Sequence, residues 1–389
     1  MSLDWRAARE LAHATGDALR QPAVRRPLAE AAGLTLAEPL RAAADLPAFD
    51  RSAMDGWVVA GPPPWRLLEG IPIGSSPIDT ELASGEARPV VTGAPVPAGM
   101  VAVLRREHGR VDGDLLHPLP ARTPEPGEDI RLTGEEARRG ELLLPAGSVL
   151  TPAALSLAAV AGADDVAVAG PPVVDLLLLG DEVVPAGIPP LGRVRDAYGP
   201  AFPPLLASLG GRAGTVTRGP DRLDATVDRI AASTAPILVT TGGTAAGEGD
   251  QMRAALDVVG CALVLDGVAM RPGSPTLLAR RTDGRPVLAL PGNPFAALVA
   301  LHLLGAPLLD GLLGRPLRAP AALPAARAVE NPRTTALVLA CRLTPDGLAP
   351  TGWQGSAMLR GLAEAQFLAL IPPGGVDAGA SVPVLHLPV

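Results

Sequence analysis

The spacing of hydrophobic and polar residues changes along this 389-residue chain, and each change marks a segment of different predicted structure. Residues 1–45 place apolar side chains at helical intervals, so we predict an amphipathic helical segment there. Residues 46–145 carry short apolar runs interrupted by Pro and Gly, which predicts a β-rich segment. Its strands are predicted at residues 57–59, 88–92, 101–105 and 142–144.

Residues 169–316 alternate between continuous apolar runs and amphipathic stretches. The run at residues 173–179 is apolar at nearly every position, as in a strand that is buried on both faces of a parallel sheet. Strand–helix alternation of this kind predicts a doubly wound parallel sheet. Residues 317–389 return to short strands, at 335–343, 367–371 and 381–387, with one short helix at 356–362, which predicts a small β domain.

A helix is predicted at residues 151–162, immediately after the inserted β-rich segment. Thr151 supplies the N-cap, Pro152 occupies the first turn, and Gly162 stands just past the end. We expect this helix to pack back on the first segment. The prediction is a multidomain α/β protein with these domains: 1–45 together with 146–168 (helical), 46–145 (inserted, β-rich), 169–316 (α/β) and 317–389 (C-terminal, β).

Composition and charge exclude several classes of protein. The net charge is −7 and the sequence pI about 5.3, with no basic stripe, so we expect no nucleic-acid partner. The N-terminal stretch carries charged residues among its apolar ones, unlike a signal peptide. No apolar run approaches the ~18 residues that a membrane-spanning helix needs, so we expect a soluble protein with no membrane partner. Cys261 and Cys341 lack metal-ligand spacing, and free thiols in apolar surroundings suit the reducing cytoplasm.

Four turns rich in Gly, Pro and polar residues follow predicted strands of the α/β segment. They are Gly180-Asp181-Glu182, the loop at residues 241–250, Arg271-Pro272-Gly273-Ser274-Pro275, and Pro291-Gly292-Asn293-Pro294. Ligands of open α/β sheets bind beyond the carboxyl ends of the strands. We therefore expect these turns to converge on one site.

The loop at residues 241–250 is dense in glycine and hydroxyl residues, which lets backbone amides form a nest for an anion such as phosphate. It is not a P-loop, because no Gly-Lys-Ser/Thr follows. A plain strand-to-helix turn capped by Asp250 is the alternative. Asp181 and Glu182 offer the hard oxygen ligands that suit magnesium bound together with phosphate, and their alternative is a solvated acidic turn.

The remaining polar residues also allow two interpretations each. Asn293-Pro294 has the composition of an ordinary helix start, with Asn as N-cap. Arg271, between glycine and proline turns, and Arg333, before a strand of the last segment, could grip an oxyanion. Most arginines in such positions only solvate the surface, so the sequence leaves both interpretations open.

An ordered set of motifs in this chain resembles the signature of the molybdopterin molybdenumtransferase family. The motifs span about residues 46–371 and follow the family's order, which makes the set specific where one motif alone would be weak. They are 47–56 (PAFDRSAMDG), 91–97 (VTGAPVP), 127–131 (GEDIR), Gly180-Asp181-Glu182, the loop at 241–250, Pro291-Gly292-Asn293-Pro294, and 352–356 (GWQGS).

The resemblance implies a fold and an assembly. The family has a helical linker and dimerisation domain, an inserted β domain, a molybdopterin-binding α/β domain and a C-terminal β-barrel-like domain. Its members are elongated homodimers whose site lies between the α/β domain of one subunit and the inserted β domain of the other. Asp55 and Thr92 would then face Glu182 and Asp250 across the dimer interface.

The resemblance also implies a cytoplasmic, Mg²⁺-dependent transferase that inserts molybdate into adenylylated molybdopterin and releases AMP. The molybdopterin adenylyltransferase becomes a candidate partner. The catalytic residues would be Asp55, Thr92, Glu182 and Asp250, and the metal ligands Asp55, Asp181, Glu182 and Asp250. The substrates would be bound by Thr241, Gly242, Gly243, Gly247, Pro291, Gly292, Asn293 and Pro294, with Arg271, Ser274, Arg333 and Ser356 around molybdate.

Several positions depart from the family pattern. The family usually has Lys-Pro-Gly-Lys-Pro at residues 271–275, so Arg271 keeps a charge and Ser274 loses one; the chain contains no lysine at all. Asp196-Ala197-Tyr198 replaces an Asp-Ser/Thr-Asn pattern. Gly219-Pro220 replaces an expected aspartate and leaves Asp221 slightly offset.

These departures keep alternatives open. A non-catalytic pterin-binding or scaffold paralogue is favoured by Ser274 and the missing aspartate, whereas Asp55, Glu182 and Asp250 favour the enzyme. A molybdopterin adenylyltransferase, whose single domain resembles residues 169–316, is the other alternative. The inserted and C-terminal β domains argue against it.

Overall fold

The computed structural model describes residues 2–75, 81–120, 122–244 and 251–388. Its first segment contains a helix followed by short strands: α1 (Trp5–Asp17), β1 (Ala23–Pro27), β2 (Thr35–Leu36) and β3 (Leu40–Arg41). Asp4 caps α1, since its Oδ1 accepts a hydrogen bond from the Arg6 amide at 2.8 Å. The prediction that residues 1–45 are helical is wrong beyond Asp17. Pro22, Pro27 and Pro39 explain this, because proline has no amide hydrogen and breaks a helix interior.

The inserted segment is built from short strands, and its larger sheet has the order β8-β5-β7-β6-β10-β9. Apolar side chains from alternate positions cover both faces of this sheet: Val58 and Val103 face one core, and Trp65 and Leu104 face another. β5, β7, β8 and β12 fall where strands are predicted. The strands are β4 (Arg51–Ser52), β5 (Gly56–Ala60), β6 (Trp65–Leu67), β7 (Glu86–Val90), β8 (Ala102–Arg105), β9 (Gly109–Asp112), β10 (Leu115–Pro118), β11 (Ile130–Arg131) and β12 (Leu142–Leu144).

The chain then returns to its first segment through α2 (Pro152–Val160) and β13 (Asp165–Ala169). Thr151 caps α2 as predicted, its Oγ1 accepting from the Ala154 amide at 3.2 Å. β13 pairs antiparallel with β1 and with β2, so α2 and β13 pack back on the residues that precede the insertion. The domain boundaries at residues 45, 145, 168 and 316 remain predictions.

The α/β segment forms a mixed sheet with the order β17-β14-β18-β22-β21-β19. The strands from β17 to β22 are parallel, while β21 and β19 are antiparallel to their neighbours. The elements are β14 (Val173–Leu179), β15 (Val183–Val184), β16 (Val194–Arg195), α3 (Tyr198–Ser208), β17 (Arg212–Gly219), α4 (Leu223–Ala232), β18 (Ile237–Thr241), α5 (Gln251–Val258), β19 (Ala262–Asp266), β20 (Met270–Arg271), β21 (Leu277–Arg280), β22 (Pro286–Leu290), α6 (Pro294–Ala300), a π-helical turn (Leu301–Gly305) and α7 (Ala306–Leu312).

The prediction of a wholly parallel sheet is therefore wrong at one edge. β21 is a strand that the sequence analysis missed, and a tight turn joins it to β22, where Gly284 donates to the Arg281 carbonyl at 2.9 Å. A turn this short permits only antiparallel pairing, because a parallel connection needs a crossover. β14 is buried on both faces, as predicted: Leu176 and Leu178 face one core, Leu177 and Leu179 the other.

α1 packs against α7 of the α/β segment, at very close range. A Cβ on Gly16 would lie 2.1 Å from the Leu308 carbonyl oxygen, and one on Gly311 would lie 2.2 Å from that of His13. Only glycine allows the two backbones to approach so closely. α1 therefore belongs to the core of the α/β sheet rather than to the small sheet of β1, β13 and β2.

The helical stretch Pro294–Leu312 is long and apolar enough to cross a membrane by composition alone, with 19 residues and a mean hydropathy of 1.8. The expectation that no apolar run reaches this length is wrong. Yet 94% of its apolar window is buried inside the fold, so the burial identifies a core helix.

The C-terminal sheet has the order β20-β24-β26-β27-β23, with β25 paired to β24. β20 comes from the α/β segment and pairs with β24, and Val338 and Leu370 share a core with Leu288 and Phe295. The helix predicted at 356–362 is shorter and begins later. The elements are β23 (Ala321–Pro324), β24 (Ala336–Thr344), β25 (Gly347–Pro350), α8 (Arg360–Ala363), β26 (Phe367–Ile371) and β27 (Ser381–His386).

Candidate active site

A cavity of about 670 Å³ lies at the carboxyl ends of β14, β18 and β22. This is the edge at which open α/β sheets bind their ligands, and the volume is typical of a small-molecule site. Each of the predicted turns reaches it. The lining residues from these turns are Gly180, Glu182, Gly242, Gly243, Thr244, Pro275, Pro291, Gly292, Asn293 and Pro294.

Glycines shape the floor of this cavity. Gly242 and Gly243 have φ values of +87° and +67°, a conformation that L side chains rarely adopt. A Cβ on Gly292 would lie 3.5 Å from the Gly242 Cα, so the turns after β18 and β22 are in contact. A ligand can therefore approach their backbones without meeting a side chain.

The other predicted residues of the loop at 241–250 are placed differently. Thr241 ends β18 and is buried, and its Oγ1 has no hydrogen-bond partner within the described part of the chain. Gly247 and Asp250, predicted to bind substrate and metal, lie outside the described residues.

Carboxylates form one wall of the cavity. Glu182 and Asp221 line it, and Asp181 is adjacent and exposed. Burial raises the pKa of Asp221; a hydrogen bond with the Asp181 backbone opposes the rise, and the charges of Glu182 and Asp181 add to it. Asp221 was expected only as an offset residue and was not among the predicted site residues. Its position just after β17, at the same edge as Glu182, was the signal that could have identified it.

Asp196 and Tyr198 fix the start of α3 beside the cavity. The Asp196 side chain is buried, and its Oδ1 accepts from the amides of Tyr198 at 2.8 Å and Gly199 at 2.9 Å. Burial raises the pKa of Asp196, but these bonds and the Arg218 guanidinium, 2.5 Å from Oδ2, outweigh it and hold the pKa below its usual value. The Tyr198 hydroxyl donates to the Gly292 carbonyl at 2.6 Å, which ties α3 to the turn after β22.

The carboxylate wall fits a magnesium ion only if the substrate supplies ligands. Within the described residues no group of three or more His, Cys, Asp or Glu side chains could hold a metal ion. Mg²⁺ commonly uses one or two carboxylates and completes its shell with water and substrate phosphates. Glu182 and Asp221, with Asp181 beside them, match that pattern.

Asp55 and Thr92 form a pair that lies away from this cavity. The amide and the Oγ1 of Thr92 donate to Asp55 Oδ1 at 2.7 Å and 2.9 Å. These hydrogen bonds, assisted by the charge of Arg106, hold the pKa of Asp55 below its usual value. Both residues are exposed, and neither lines the cavity of the same chain.

The predicted oxyanion residues are divided between the border of the cavity and the surface. Ser274 and Ser356 are half-buried, and their neighbours Pro275 and Ala357 line the cavity. The Ser356 carbonyl accepts from the Ala296 amide at 3.2 Å, which fixes its loop against α6. Arg271 and Arg333 are exposed and lie outside the lining.

Comparisons with known proteins match both halves of the chain. The family described as "MoeA N-terminal region (domain I and II)" matches residues 3–162, and that described as "Probable molybdopterin binding domain" matches residues 175–311. The structure titled "Crystal Structure of molybdopterin biosynthesis moeA protein from Pyrococcus horikoshii OT3" has a TM-score of 0.83, 21% identity and 100% coverage of both chains. At that identity the likeness shows the fold alone, which is of this mixed α/β type with several sheets.

Sequence relatives extend over the full length. A protein from Staphylococcus aureus named molybdopterin molybdenumtransferase is 28% identical over 94% of this chain and 91% of its own. A protein of the same name from Synechococcus elongatus is 34% identical over 99% of each chain. Identity at that level over nearly every residue shows that this chain belongs to the molybdopterin molybdenumtransferase family.

Proposed function

We propose that this chain is a cytoplasmic, Mg²⁺-dependent molybdopterin molybdenumtransferase of molybdenum cofactor biosynthesis. It inserts molybdate into adenylylated molybdopterin and releases AMP. The observation that carries the proposal is the cavity at the strand ends, where glycine turns and carboxylates line one ligand-sized space. The Synechococcus elongatus relative with this name aligns with nearly the whole chain and supports it.

The glycine turns are suited to the phosphates of the substrate. Backbone amides at glycines with positive φ point into a concave nest that binds anions, and Gly242 and Gly243 have that conformation. In this proposal they hold the phosphate of the pterin. Thr241, Gly247 and residues 291–294 complete the binding surface.

The carboxylates need a cation if they are to act beside phosphate. Asp181, Glu182 and Asp221 would otherwise repel the phosphates, and at 4 Å each such contact costs about 4 kcal/mol at an effective dielectric of 20. Together with Asp250 these residues would hold Mg²⁺, which neutralises negative charge on the phosphate when it is bound.

A second copy of the chain would complete the site. Asp55 and Thr92 form a preformed, charged and exposed pair that lies apart from the cavity of its own chain. In a homodimer that places the inserted β segment over the partner's α/β segment, this pair would face Glu182 and Asp250. The molybdopterin adenylyltransferase, which supplies the adenylylated substrate, is the partner expected beyond the dimer.

Molybdate would enter at the border formed by Ser274 and Ser356. Hydroxyls and guanidinium groups suit a tetrahedral oxyanion, so Arg271 and Arg333 complete this pocket in the proposal. Because Ser274 stands where the family usually has lysine, this pocket has one positive charge fewer than the family pattern.

The test is release of AMP from adenylylated molybdopterin, followed chromatographically with and without Mg²⁺ and molybdate. Glu182→Gln should lower the rate by about 100-fold or more, because a carboxylate that binds metal or orients water is lost. Asp224→Asn is the matched control, since Asp224 is an exposed acid three positions after Asp221 that forms an ion pair with Arg222 and does not line the cavity. A wild-type chain that binds the pterin but releases no AMP at any molybdate concentration would instead be a non-catalytic scaffold.

A further inference from the structure

A second cavity, of about 570 Å³, lies between α3, the helical stretch Pro294–Leu312 and the C-terminal β segment. None of its lining residues lines the candidate active site. Apolar side chains form most of its wall, among them Leu205 and Leu298 on one side and Leu362 and Leu368 on the other. Its size falls within the range of small-molecule sites.

His302 is the polar group that this cavity leaves without a partner. Its residue is only 6% exposed, it lines the cavity, and it forms no hydrogen bond with any part of the chain that the structure describes. The two other polar side chains of the wall differ from His302: Ser208 Oγ donates to the Leu205 carbonyl at 2.7 Å, and Gln366 is exposed, with its Oε1 accepting from the Leu343 amide at 2.9 Å. The ring of His302 faces the cavity and is open to a molecule there, which could exchange a hydrogen bond with it.

The backbone around His302 is unusual for a core helix. His302 stands in the π-helical turn Leu301–Gly305, where the Ala306 amide donates to the Leu301 carbonyl five residues earlier. Pro307 accounts for the irregularity, because it has no amide hydrogen to give to the Leu303 carbonyl. Arg9 Nη1 satisfies that carbonyl from α1 at 3.5 Å. Single π turns within helices recur at functional sites.

The charge state of His302 restricts the chemical class of ligand that this cavity can bind. Burial, with smaller contributions from Arg318 and His386, lowers the pKa of His302 to about 4, so the ring is neutral at pH 7. A neutral imidazole has one donor and one acceptor nitrogen. Arg318 is already paired with Asp310, with Nε 2.9 Å from Oδ2, and offers no free counter-charge. A charged ligand would lose its hydration here without replacement.

We propose that this cavity is a binding site for a small, uncharged, mostly apolar molecule that exchanges one hydrogen bond with His302. The apolar walls supply most of the affinity, and the imidazole selects a hydroxyl or similar group. The site is distinct from the candidate active site, because the two cavities share no lining residue.

The test uses 4-propylphenol as the probe and the full chain labelled with ¹⁵N-histidine. The chain has 5 histidines, so the ring resonances of His302 can be assigned by comparison with His302→Phe. 4-Propylphenol should shift the His302 resonances saturably. Propylbenzene, which lacks the hydroxyl, should bind about three- to tenfold more weakly, the usual loss for one hydrogen bond.

Variants on one helix provide the matched control. Ala201 on α3 lines the cavity, whereas Ala207 on the same helix is exposed and does not. Ala201→Phe should abolish binding by filling the cavity, and Ala207→Phe should leave it unchanged. His302→Phe lacks the reporting ring, so its binding is measured by calorimetric titration, and it should bind 4-propylphenol and propylbenzene equally. This comparison tests the hydrogen bond even if Ala201→Phe fails to fold.

Several results would overturn the proposal. No saturable shift up to the solubility limit of the probe would show that the cavity does not bind this class. Equal binding of 4-propylphenol and propylbenzene to wild type would remove the role of His302. Tighter binding of 4-propylbenzoate than of the phenol would show that the site takes an anion instead.

Discussion

Two inactive variants of this chain should restore activity when they are mixed, if the site is shared between subunits. Asp55→Asn removes the charge of the exposed Asp55–Thr92 pair, and Glu182→Gln removes a carboxylate from the cavity wall. Asp55 immediately precedes β5 of the inserted sheet and Glu182 follows β14 of the α/β sheet, and Asp55 does not line the cavity of its own chain. Each variant alone should lose about 100-fold or more of the AMP-release rate.

The size of the recovery follows from the geometry of a two-fold dimer. In a mixed dimer one site receives both altered residues, and the other receives an intact Asp55 from one subunit and an intact Glu182 from the other. Random exchange makes half of the dimers mixed, so about one quarter of all sites should be intact in a two-fold symmetric assembly. A site contained within one chain would give no recovery at all.

The assay is AMP release after the two variants are co-expressed or exchanged, with light scattering to establish the dimer. The matched control mixes Glu182→Gln with Asp221→Asn. Both changes lie in the same cavity wall, so every site of every dimer stays altered and no activity should return. Recovery in the control, absence of recovery in the test pair, or a stable monomer at micromolar concentration would each refute the shared site.

The other predictions concern charge. Ser274→Lys should lower the half-saturating molybdate concentration for AMP release by roughly ten- to a hundredfold, because a charge-assisted contact is gained; an unchanged value would make the missing charge irrelevant. Glu182→Gln should lower the pKa of Asp221, since a like charge is removed, and a carbon-13 titration of the Asp221 carboxyl would measure this. Asp310→Asn should destabilise the fold by about 3–5 kcal/mol in urea unfolding, because Asp310 is buried and its loss leaves the largely buried Arg315 guanidinium, 3.6 Å away, without its counter-charge; a loss below about 1 kcal/mol would contradict this.

The turns that follow the strands of the α/β segment meet at the candidate active site. This could be predicted from the sequence because it depends only on strand direction. The run Val173–Leu179 is apolar except for Asp175, and each later strand of the parallel set ends in a turn with glycine or a carboxylate. Once those strands are parallel, their carboxyl ends meet at one edge whatever the details of packing. The positions of Glu182, Gly242 and Gly292 follow directly.

The parts that could not be predicted depend on contacts between distant residues. α1 has the amphipathic pattern of many surface helices, and only Gly16 and Gly311, read together, could have indicated its close packing on α7. β21 was missed because its four residues have no periodicity that separates a strand from the turn before it. Tyr198 replaces an expected asparagine, yet its ring keeps the start of α3 in contact with Gly292, which no local pattern reveals.

The position of Asp221 changes how the choice between enzyme and scaffold should be tested. In the sequence, Gly219-Pro220 marks the loss of a carboxylate, which favours a chain that binds pterin without acting on it. In the structure, Asp221 lines the same cavity as Glu182, so an acid beyond β17 is retained close to the expected place. The remaining departure from the family pattern is the positive charge missing at Ser274, which would affect the binding of molybdate rather than that of phosphate. Binding of the adenylylated pterin therefore cannot discriminate between the two functions, because the glycine turns and carboxylates serve both. The molybdate dependence of AMP release can discriminate between them, because only the enzyme must bind molybdate at the cavity border formed by Ser274 and Ser356.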